Sequence, residues 1–341
     1  MKLKDVFVRI LKSRGIKSVS TNINRIIESD DVLQMMAVYV ILNRAKVCRG
    51  FRGRAYDLNG NPVDYADAFV GRCRECDVLL TRDEMLKEVE CEYFPYIVVD
   101  CSFFDDHTEK EKRKILLQIE QTLGVVRKYM WDERLIITHL NCGLGEYYSS
   151  TAEFIKNKNI RDVILLDPSG DEVFRGERAE CFIIGGIVDK SGEKKGWTSR
   201  IGDALEREGI RFRSMRILLR GDTVGVPDRI NTIAEIVLKV VMDGMDVEKA
   251  VKDVQSPLVA KWRLRKELPK RTVRVDVNGK PFRIVKKSIF SEFDWLNIRI
   301  KDFYDVCSEL GYLVMDDCKF DELVKNAKWD EKKHRYILKY K

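Results

Sequence analysis

The sequence has little of several features that define common protein classes. It contains 7 prolines and 21 glycines in 341 residues, which excludes collagen-like and long disordered segments. Its longest apolar run, residues 35–42, is too short to cross a bilayer. No apolar segment follows the lysine-rich start, so we expect no secretory signal and no membrane attachment. Nine cysteines, an odd number, favour a cytoplasmic protein over a secreted disulfide scaffold.

Several common enzyme motifs are also missing. Residues 143–148 read Gly-Leu-Gly-Glu-Tyr-Tyr and lack the third glycine of a dinucleotide fingerprint. No glycine-rich run ends in Gly-Lys-Ser/Thr, and no serine stands in a nucleophile elbow. The three histidines, His107, His139 and His334, are far apart in the chain. We therefore expect no histidine-based metal centre and, more generally, no bound metal.

Charge is unevenly distributed along the chain, although the net value is +7. Residues 1–54 carry a net +8, residues 55–92 a net −6, residues 93–268 zero and residues 269–341 a net +5. A neutral middle between basic ends is typical of an enzyme core whose flanks hold a polyanion. Solvated helix faces would produce the same composition, so both interpretations stay open.

The middle of the chain alternates apolar strands with amphipathic helices. Apolar runs of strand length begin at Tyr96, Leu135, Val163, Cys181 and Phe212. The segments between them have the three- and four-residue apolar spacing of helices. Continuous apolar strands separated by helices predict a parallel sheet covered on both faces, which is an α/β fold.

The two ends differ from this pattern. The first 50 residues place apolar side chains at helical spacing, which predicts a helix-rich N-terminal domain. Near the other end, Val273, Val275 and Val277 alternate with charged residues and run into Asn-Gly, a hairpin signal typical of a small α+β domain. We therefore expect three domains, at residues 1–92, 93–268 and 269–341.

Three segments place glycine and aspartate directly after a predicted strand. They are residues 165–170, 182–189 and 218–231. Because the carboxyl ends of parallel strands line one crevice, we expect these loops to open onto the same ligand site. Glycine in such loops lets backbone atoms approach a ligand closely.

The Gly-Gly-Ile-Val-Asp strand end at residues 185–189 carries a family resemblance. Together with the strand ending at Leu166 and the Asp-Cys-Ser-Phe segment at residues 100–103, it resembles the SPOUT methyltransferases that modify purine 9 of tRNA, in particular their archaeal branch. The resemblance covers residues 93–268. It implies S-adenosylmethionine as the methyl donor and N1 of adenosine or guanosine 9 of tRNA as the target. It also implies a C-terminal trefoil knot, against the usual rule that chains do not thread loops.

Under this resemblance, Asp189 and Asp228 are the candidate catalytic residues. Adenine N1 presents a lone pair, whereas guanine N1 carries a proton, so guanosine methylation benefits from a general base. Two carboxylates that share a desolvated site would raise one pKa toward a useful range. The alternative for Asp189 is a strand-end carboxylate that accepts loop amides, and for Asp228 a helix N-cap.

The same loops supply the expected binding residues. A cofactor pocket of backbone and apolar groups is expected at Leu166, Asp167, Pro168, Gly185, Gly186, Asp189, Leu219, Gly225, Val226 and Ile230. RNA contacts are expected at Lys194, Lys195 and Arg200, which flank the Asp189 loop. The basic ends of the chain are further RNA-binding candidates. We expect a monomer with no obligate protein partner.

Four cysteines keep three interpretations open. Cys73 and Cys76 form a C-x-x-C pair, with Cys48 before them and Cys91 after them, but a second C-x-x-C is absent. Zinc binding and a disulfide are about equally compatible with this spacing. Free buried thiols are the favoured interpretation.

Two other functions remain compatible with the sequence. A metal-dependent RNA phosphohydrolase would use Asp189, Asp228 and Asp222 as carboxylate ligands. A non-catalytic tRNA-binding protein would keep the fold and the RNA affinity without methyl transfer. Methyl transfer from S-adenosylmethionine in the presence of a chelator would exclude both.

Overall fold

The computed structural model describes residues 1–189, 193–220 and 229–338. They form two compact units. The first contains residues 1–217 and the segment that ends at Val247, and the second contains residues 218–220 and those from Glu248 onward. None of the described helices combines the length and the apolar character that a membrane crossing requires.

The N-terminal part of the first unit combines helices with a sheet of six described strands. Its elements are α1 (Leu3–Ser13), β1 (Ser18–Thr21), α2 (Asn24–Ile27), α3 (Val32–Ile41), β2 (Lys46–Arg49), β3 (Arg54–Asp57), β4 (Pro62–Val63), β5 (Ala68–Gly71), β6 (Val78–Leu80) and α4 (Arg82–Glu90). The strand order is β4-β3-β1-β5-β2-β6. Strand β1 pairs with β5 in parallel, and the other neighbouring pairs are antiparallel.

The sequence predicts the helices of this region but not its sheet. Helices α1 and α3 confirm the apolar helical spacing near residues 6–11 and 35–42. The strands have two to four residues, and all four residues of β5 are buried. Runs this short show no alternation between buried and exposed positions, so periodicity does not distinguish them from turns or helix ends.

The rest of the first unit is an α/β layer. Its elements are β7 (Tyr96–Asp100), α5 (Glu109–Arg127), β8 (Leu135–Thr138), β9 (Glu146–Tyr148), α6 (Thr151–Asn157), β10 (Val163–Leu166), β11 (Glu172–Val173), β12 (Cys181–Gly185), α7 (Trp197–Arg207), β13 (Arg213–Arg216) and α8 (Ile230–Asp243). The strand order is β11-β13-β10-β12-β7-β8-β9, and every neighbouring pair runs in parallel. The predicted α/β fold with a parallel sheet is confirmed.

Helices cover both faces of this sheet, as continuous apolar strands require. On one face, Phe154 of α6 and Ile201 of α7 pack on Val98, Leu165 and Ile183 of the central strands. Helices α5 and α8 pack against each other, and α8 lies on β12. The helix α5 begins at a capping box in which the Thr108 hydroxyl and the Glu111 carboxylate satisfy each other's backbone amides.

The second unit contains an α+β layer. Its elements are α9 (Val247–Val254), α10 (Pro257–Glu267), β14 (Val273–Val277), β15 (Lys280–Lys286), α11 (Ile300–Glu309), β16 (Tyr312–Met315), α12 (Asp317–Asn326), β17 (Lys328–Asp330) and β18 (Arg335–Leu338). The strand order is β16-β15-β14-β18-β17. Asn278 and Gly279, both with positive φ, make the predicted hairpin turn between β14 and β15. Leu264 of α10 packs with Phe303 of α11, so this unit includes residues before the boundary predicted at 269.

Candidate active site

Parallel register brings two of the three glycine–aspartate loops to one edge of the sheet. Leu166 pairs with Ile184, and Gly185 pairs with Asp100, so the loops after β10, β12 and β7 begin side by side. The Gly186 amide donates a hydrogen bond to the Asp100 carbonyl at 2.7 Å. Most of the third loop lies outside the described residues, including Gly225, Val226, Asp228 and Asp222.

Asp167 organises the loop after β10. Its carboxylate accepts a hydrogen bond from the Ser169 amide at 2.8 Å and another from the Ser199 hydroxyl, in the first turn of α7, at 2.6 Å. Its own amide donates to the Met215 carbonyl of β13. Asp167 is buried, whereas Pro168 and Ser169 are exposed at the surface of the edge. Asp167 therefore fixes the shape of the loop, and its exposed neighbours are the part that a ligand can reach.

The glycine pair after β12 is packed against protein atoms. A Cβ atom on Gly186 would lie 2.8 Å from the Cys101 Sγ and 2.9 Å from the Asp100 carbonyl oxygen, and a Cβ on Gly185 would lie 2.9 Å from the Ile187 side chain. All three contacts are closer than real Cβ atoms show, so a neighbour would have to shift. The sequence predicts glycine here for the close approach of a ligand. At Gly186 the Asp100 backbone already requires glycine, whereas at Gly185 the end of the Ile187 side chain could move aside. Their part in a cofactor site stays a prediction.

Asp189 lies on an exposed loop that is held at two points by the start of α5. The first point is His107, whose Nε2 accepts a hydrogen bond from the Val188 amide at 3.2 Å. Nδ1 therefore carries the proton and donates to the Phe103 carbonyl at 2.8 Å, which defines a neutral tautomer. His107 is buried, so the residue before Asp189 has a fixed backbone position.

The second point is an ion pair between Lys194 and Glu111. The Lys194 Nζ lies 2.8 Å from Glu111 Oε1, and both side chains are at least 90% buried. The Lys194 bond and the Thr108 hydrogen bonds lower the pKa of Glu111 to about 2. The Lys194 amide donates to Asp189 Oδ2 at 3.1 Å, so the same residue also orients the candidate catalytic carboxylate.

The structure therefore corrects the expected role of Lys194. Its ammonium is neutralised by Glu111 and lies over the Trp197 ring, so it does not present a charge to RNA in this conformation. Lys195 and Arg200 are exposed, as RNA contacts require. The Arg200 guanidinium lies 4.5 Å from the centroid of the Phe103 ring, and Phe103 lies 5.0 Å from Trp197. These half-buried rings and one arginine form an aromatic, positively charged rim near the residues that hold the Asp189 loop.

The remaining described candidates lie in protein interiors. Leu166 and Ile230 are buried, and the Ile230 amide donates to the Gln118 side chain of α5 at 2.9 Å. Leu219 packs against the α10–α11 cluster of the second unit, which corresponds to the core-packing alternative for that residue. Asp100 is buried and accepts hydrogen bonds from the Ser102 amide and the Thr151 hydroxyl, which is a structural role.

The four N-terminal cysteines do not form a zinc site. Cys48 and Cys76 are joined in a disulfide, which ties β2 to the loop before β6. Cys73 and Cys91 are free thiols, one half-buried and one exposed. The favoured expectation of free buried thiols is wrong for the bonded pair. Within the described ranges, no group of three His, Cys, Asp or Glu side chains could hold a metal ion.

Sequence reasoning missed His107 and Glu111, the two residues that anchor the Asp189 loop. Thr108-x-x-Glu111 is a capping-box pattern, so the sequence does mark the start of α5. Nothing in the sequence pairs Glu111 with Lys194, 83 residues away, or His107 with Val188, 81 residues away. The neighbouring rings of Phe103 and Trp197 lack a sequence signal for the same reason.

Comparison with known proteins gives a consistent result at the level of sequence. Residues 4–88 and 261–341 match models of the N and C domains of tRNA (guanine(9)-/adenine(9)-N1)-methyltransferase. A protein of that name from Thermococcus kodakarensis is 40% identical over 98% of this chain and 96% of its own length. A tRNA (adenine(9)-N1)-methyltransferase from Sulfolobus acidocaldarius is 37% identical over 48% of this chain and 56% of its own.

Solved structures share the fold. The crystal structure of a dual specific Trm10 from Thermococcus kodakaraensis has a TM-score of 0.61 and 31% identity, and the match covers 73% of this chain and 99% of that one. Sulfolobus acidocaldarius Trm10, solved in complex with S-adenosylhomocysteine, has a TM-score of 0.61 and 24% identity, and covers 91% of this chain and 100% of its own.

Proposed function

The chain belongs to the tRNA (guanine(9)-/adenine(9)-N1)-methyltransferase family, and from this premise we propose how its residues serve the reaction. It methylates N1 of the purine at position 9 of tRNA, with S-adenosylmethionine as the methyl donor. The observation that carries this function is 40% identity over nearly the whole length of both chains. Since that relative is named for both bases, we propose that this protein accepts both guanosine and adenosine.

The described residues fit a sulfonium donor at the shared strand edge. The Asp189 carboxylate is exposed there, so it can compensate a positive charge, and the exposed Pro168 and Ser169 offer backbone groups beside it. Bound S-adenosylmethionine supplies an electrophilic methyl group to the purine N1 in one in-line displacement. The protein's main contribution to such a step is positioning.

Asp189 is the proposed general base for guanosine. Its side chain is oriented by the Lys194 amide, and the backbone just before it is fixed by His107. A carboxylate held in this way can accept the guanine N1 proton when the methyl group arrives. Adenine needs no such acceptor. His107 and Glu111 are proposed as positioning residues, because each acts on the loop rather than on the substrate.

The knot, the rest of the cofactor pocket, the RNA contacts and the domain division are also proposals. We propose that the segment from β12 through α8 forms the trefoil knot and that Gly225, Val226 and Asp228, which lie outside the described ranges, contribute to the rest of the cofactor pocket. Lys195 and Arg200 are proposed RNA contacts at the rim. The three-domain division at residues 1–92, 93–268 and 269–341, a monomeric state and a cytoplasmic location complete the proposal.

Methyl transfer to defined transcripts tests the function directly. Unmodified tRNA transcripts with G or A at nucleotide 9 are incubated with S-adenosylmethionine and EDTA, and the methylated base is mapped by mass spectrometry. We expect 1-methylguanosine and 1-methyladenosine at position 9. In a parallel reaction with Mg²⁺ in place of EDTA, cleavage of the transcripts without methylation would support a phosphohydrolase instead. Binding of tRNA without transfer of a methyl group would leave a non-catalytic RNA-binding protein.

A further inference from the structure

The loops around the N-terminal sheet expose aromatic and arginine side chains. Phe51 and Tyr65 are 43% and 64% exposed, and their ring centroids lie 5.6 Å apart. Phe51 lies in the loop between β2 and β3, and Tyr65 follows β4. Two large rings exposed side by side are unusual on a soluble protein unless they contact a partner.

The loop that carries Phe51 is built to keep a defined shape. Gly53 has φ +77°, and a Cβ atom there would collide with the Thr21 carbonyl of β1. The Arg52 amide donates to the Ser20 hydroxyl at 3.0 Å, and its guanidinium lies 4.4 Å from the Phe69 ring centroid. The loop is therefore fixed closely against the sheet before any ligand is present.

Sulfur contacts hold a second loop, between β5 and β6, beside the loop that carries Phe51. The Cys48–Cys76 disulfide anchors the loop between β5 and β6 to β2. Within that loop, Cys73 Sγ lies 4.0 Å from the Arg52 guanidinium. Arg74, between these two cysteines, is exposed. The disulfide and the Cys73 contact thus hold the loop that carries Arg74 beside Arg52.

The arginines of this surface differ from several others in the N-terminal part, which are held in ion pairs. Arg14 and Arg49 are paired with Glu84 and Asp77. By contrast, no carboxylate among the described residues pairs with the exposed arginines of this surface, which are Arg52, Arg54 and Arg74. Their charges are available to an anionic partner.

We propose that Phe51, Tyr65, Arg52, Arg54 and Arg74, which we call the stacking patch, bind an unpaired nucleotide of the substrate tRNA and its flanking phosphates. The inference rests on tRNA being the substrate. Exposed rings stack on any base, and unpaired arginines neutralise phosphates, so together they match single-stranded RNA. An acidic peptide would use the arginines but would leave the paired rings without a function.

Binding and turnover measurements on the full-length protein test the stacking patch. The Phe51→Ala/Tyr65→Ala variant should raise the Kd for tRNA about tenfold, because stacking on aromatic rings contributes substantially to affinity for each base. The Arg52→Gln/Arg54→Gln/Arg74→Gln variant should reduce the slope of log Kd against log salt by about 2, since each phosphate contact contributes about 0.7 on a single strand. Single-turnover methylation at saturating tRNA should stay at the wild-type rate in both.

The matched control is Arg14→Gln, which removes an exposed but ion-paired arginine outside the stacking patch and should change Kd less than twofold. Unchanged Kd and salt slope in both patch variants would overturn the proposal. The proposal would also be overturned if both patch variants bound tRNA as tightly as the wild type but lost a complex with another protein that light scattering detects for the wild type. That result would assign the surface to a protein partner. If the wild-type protein fails to methylate purine 9, the function is wrong, and that result is distinct from a failure of the patch.

Discussion

The parallel sheet and the N-terminal sheet place their polar groups in opposite ways. At the edge of the parallel sheet, the carboxylates of Asp167 and Glu111 are buried and fully engaged with neighbouring loops. At the end of the N-terminal sheet, Arg52 and Arg74 are exposed and lack a described carboxylate partner. Groups of the first kind fix geometry, and groups of the second kind are available to a partner. We therefore expect substitutions at the edge of the parallel sheet, called the first edge below, to change the rate of methylation. Substitutions in the N-terminal sheet should change the affinity for tRNA.

The sharpest test of the first edge is Asp189→Asn. If Asp189 accepts the guanine N1 proton, the saturated rate on guanosine should fall about 10³-fold, within the usual range for general-base catalysis. The rate on adenosine should fall less than tenfold, because its N1 has no proton to remove. Rates are measured on two transcripts that differ at nucleotide 9. An equal loss on both bases would remove Asp189 from the role of base.

In the N-terminal sheet, the largest effect on stability is expected from removing the Cys48–Cys76 disulfide. Removing it in Cys48→Ser/Cys76→Ser opens a loop that spans a sequence separation of 28, which corresponds to a loss of roughly 3.5 kcal/mol of stability in the chain-entropy model. Urea unfolding of the variant and of the wild type measures the difference. The free Cys91→Ser variant is the control, since it breaks no bond. A wild-type protein with all nine thiols reactive would contradict the disulfide itself.

The buried ion pair makes a pH-dependent prediction for the first edge. The pKa of Glu111 is lowered from its ordinary value of 4.5 to about 2, so its ionised form stabilises the folded state. This contribution is complete above pH 4.5 and is lost as the pH falls from about 4.5 to 2. The stability difference between the wild type and Glu111→Gln should therefore be present at pH 6 and vanish near pH 2.

Glu109→Gln provides the matched control for this measurement. Glu109 lies on the same helical turn as Glu111, but its side chain is 79% exposed and pairs with Lys112 at the surface. Its substitution should change stability by less than half a kcal/mol at any pH. A pH-independent difference for Glu111→Gln would mean that the carboxylate acts by packing rather than by charge.

The smallest predicted effect concerns the start of α5, which connects the buried pair to the helix. Thr108→Ala removes the hydroxyl that caps the helix and contacts Glu111, so it should cost about 1 kcal/mol of stability. It should also lower the methylation rate a few-fold, because Glu111 then holds Lys194 less firmly. Thr108→Ser keeps the hydroxyl and should restore both. If the serine variant did not restore the methylation rate, the helix cap at Thr108 would not be what positions the Asp189 loop.

The same contrast explains what the sequence predicts and what it does not. Residues 135–137 and 163–166 are continuous apolar runs, and the strands β8 and β10 begin at Leu135 and Val163, as predicted. Their buried environment requires apolar side chains at every position, so local composition is sufficient. The strands of the N-terminal sheet are too short for such a pattern, and their pairing depends on residues far apart, such as Ser18 with Asp57.

The candidate site follows the same rule. The edge where Asp167 and Asp189 lie follows from strand order alone, because parallel strands end on one side. The partners of those residues do not follow, since Ser199, His107 and Glu111 come from other segments of the chain. The burial of Lys194 shows most clearly what sequence patterns do not predict. Its sequence neighbourhood is that of a surface lysine, and its partner Glu111 lies on α5, 83 residues away in the chain.

The pairing of β7 with β12 also affects how fast the chain reaches its native state. Tyr96 lies beside Cys181, so the two central strands of the sheet are separated by 85 residues of sequence. Contacts between distant segments slow folding, because the intervening chain loses entropy before the contact forms. A ribosome-bound chain cannot close its sheet until β12 has emerged from the exit tunnel. Until then, β7 and β8 remain exposed apolar strands that can associate with other molecules.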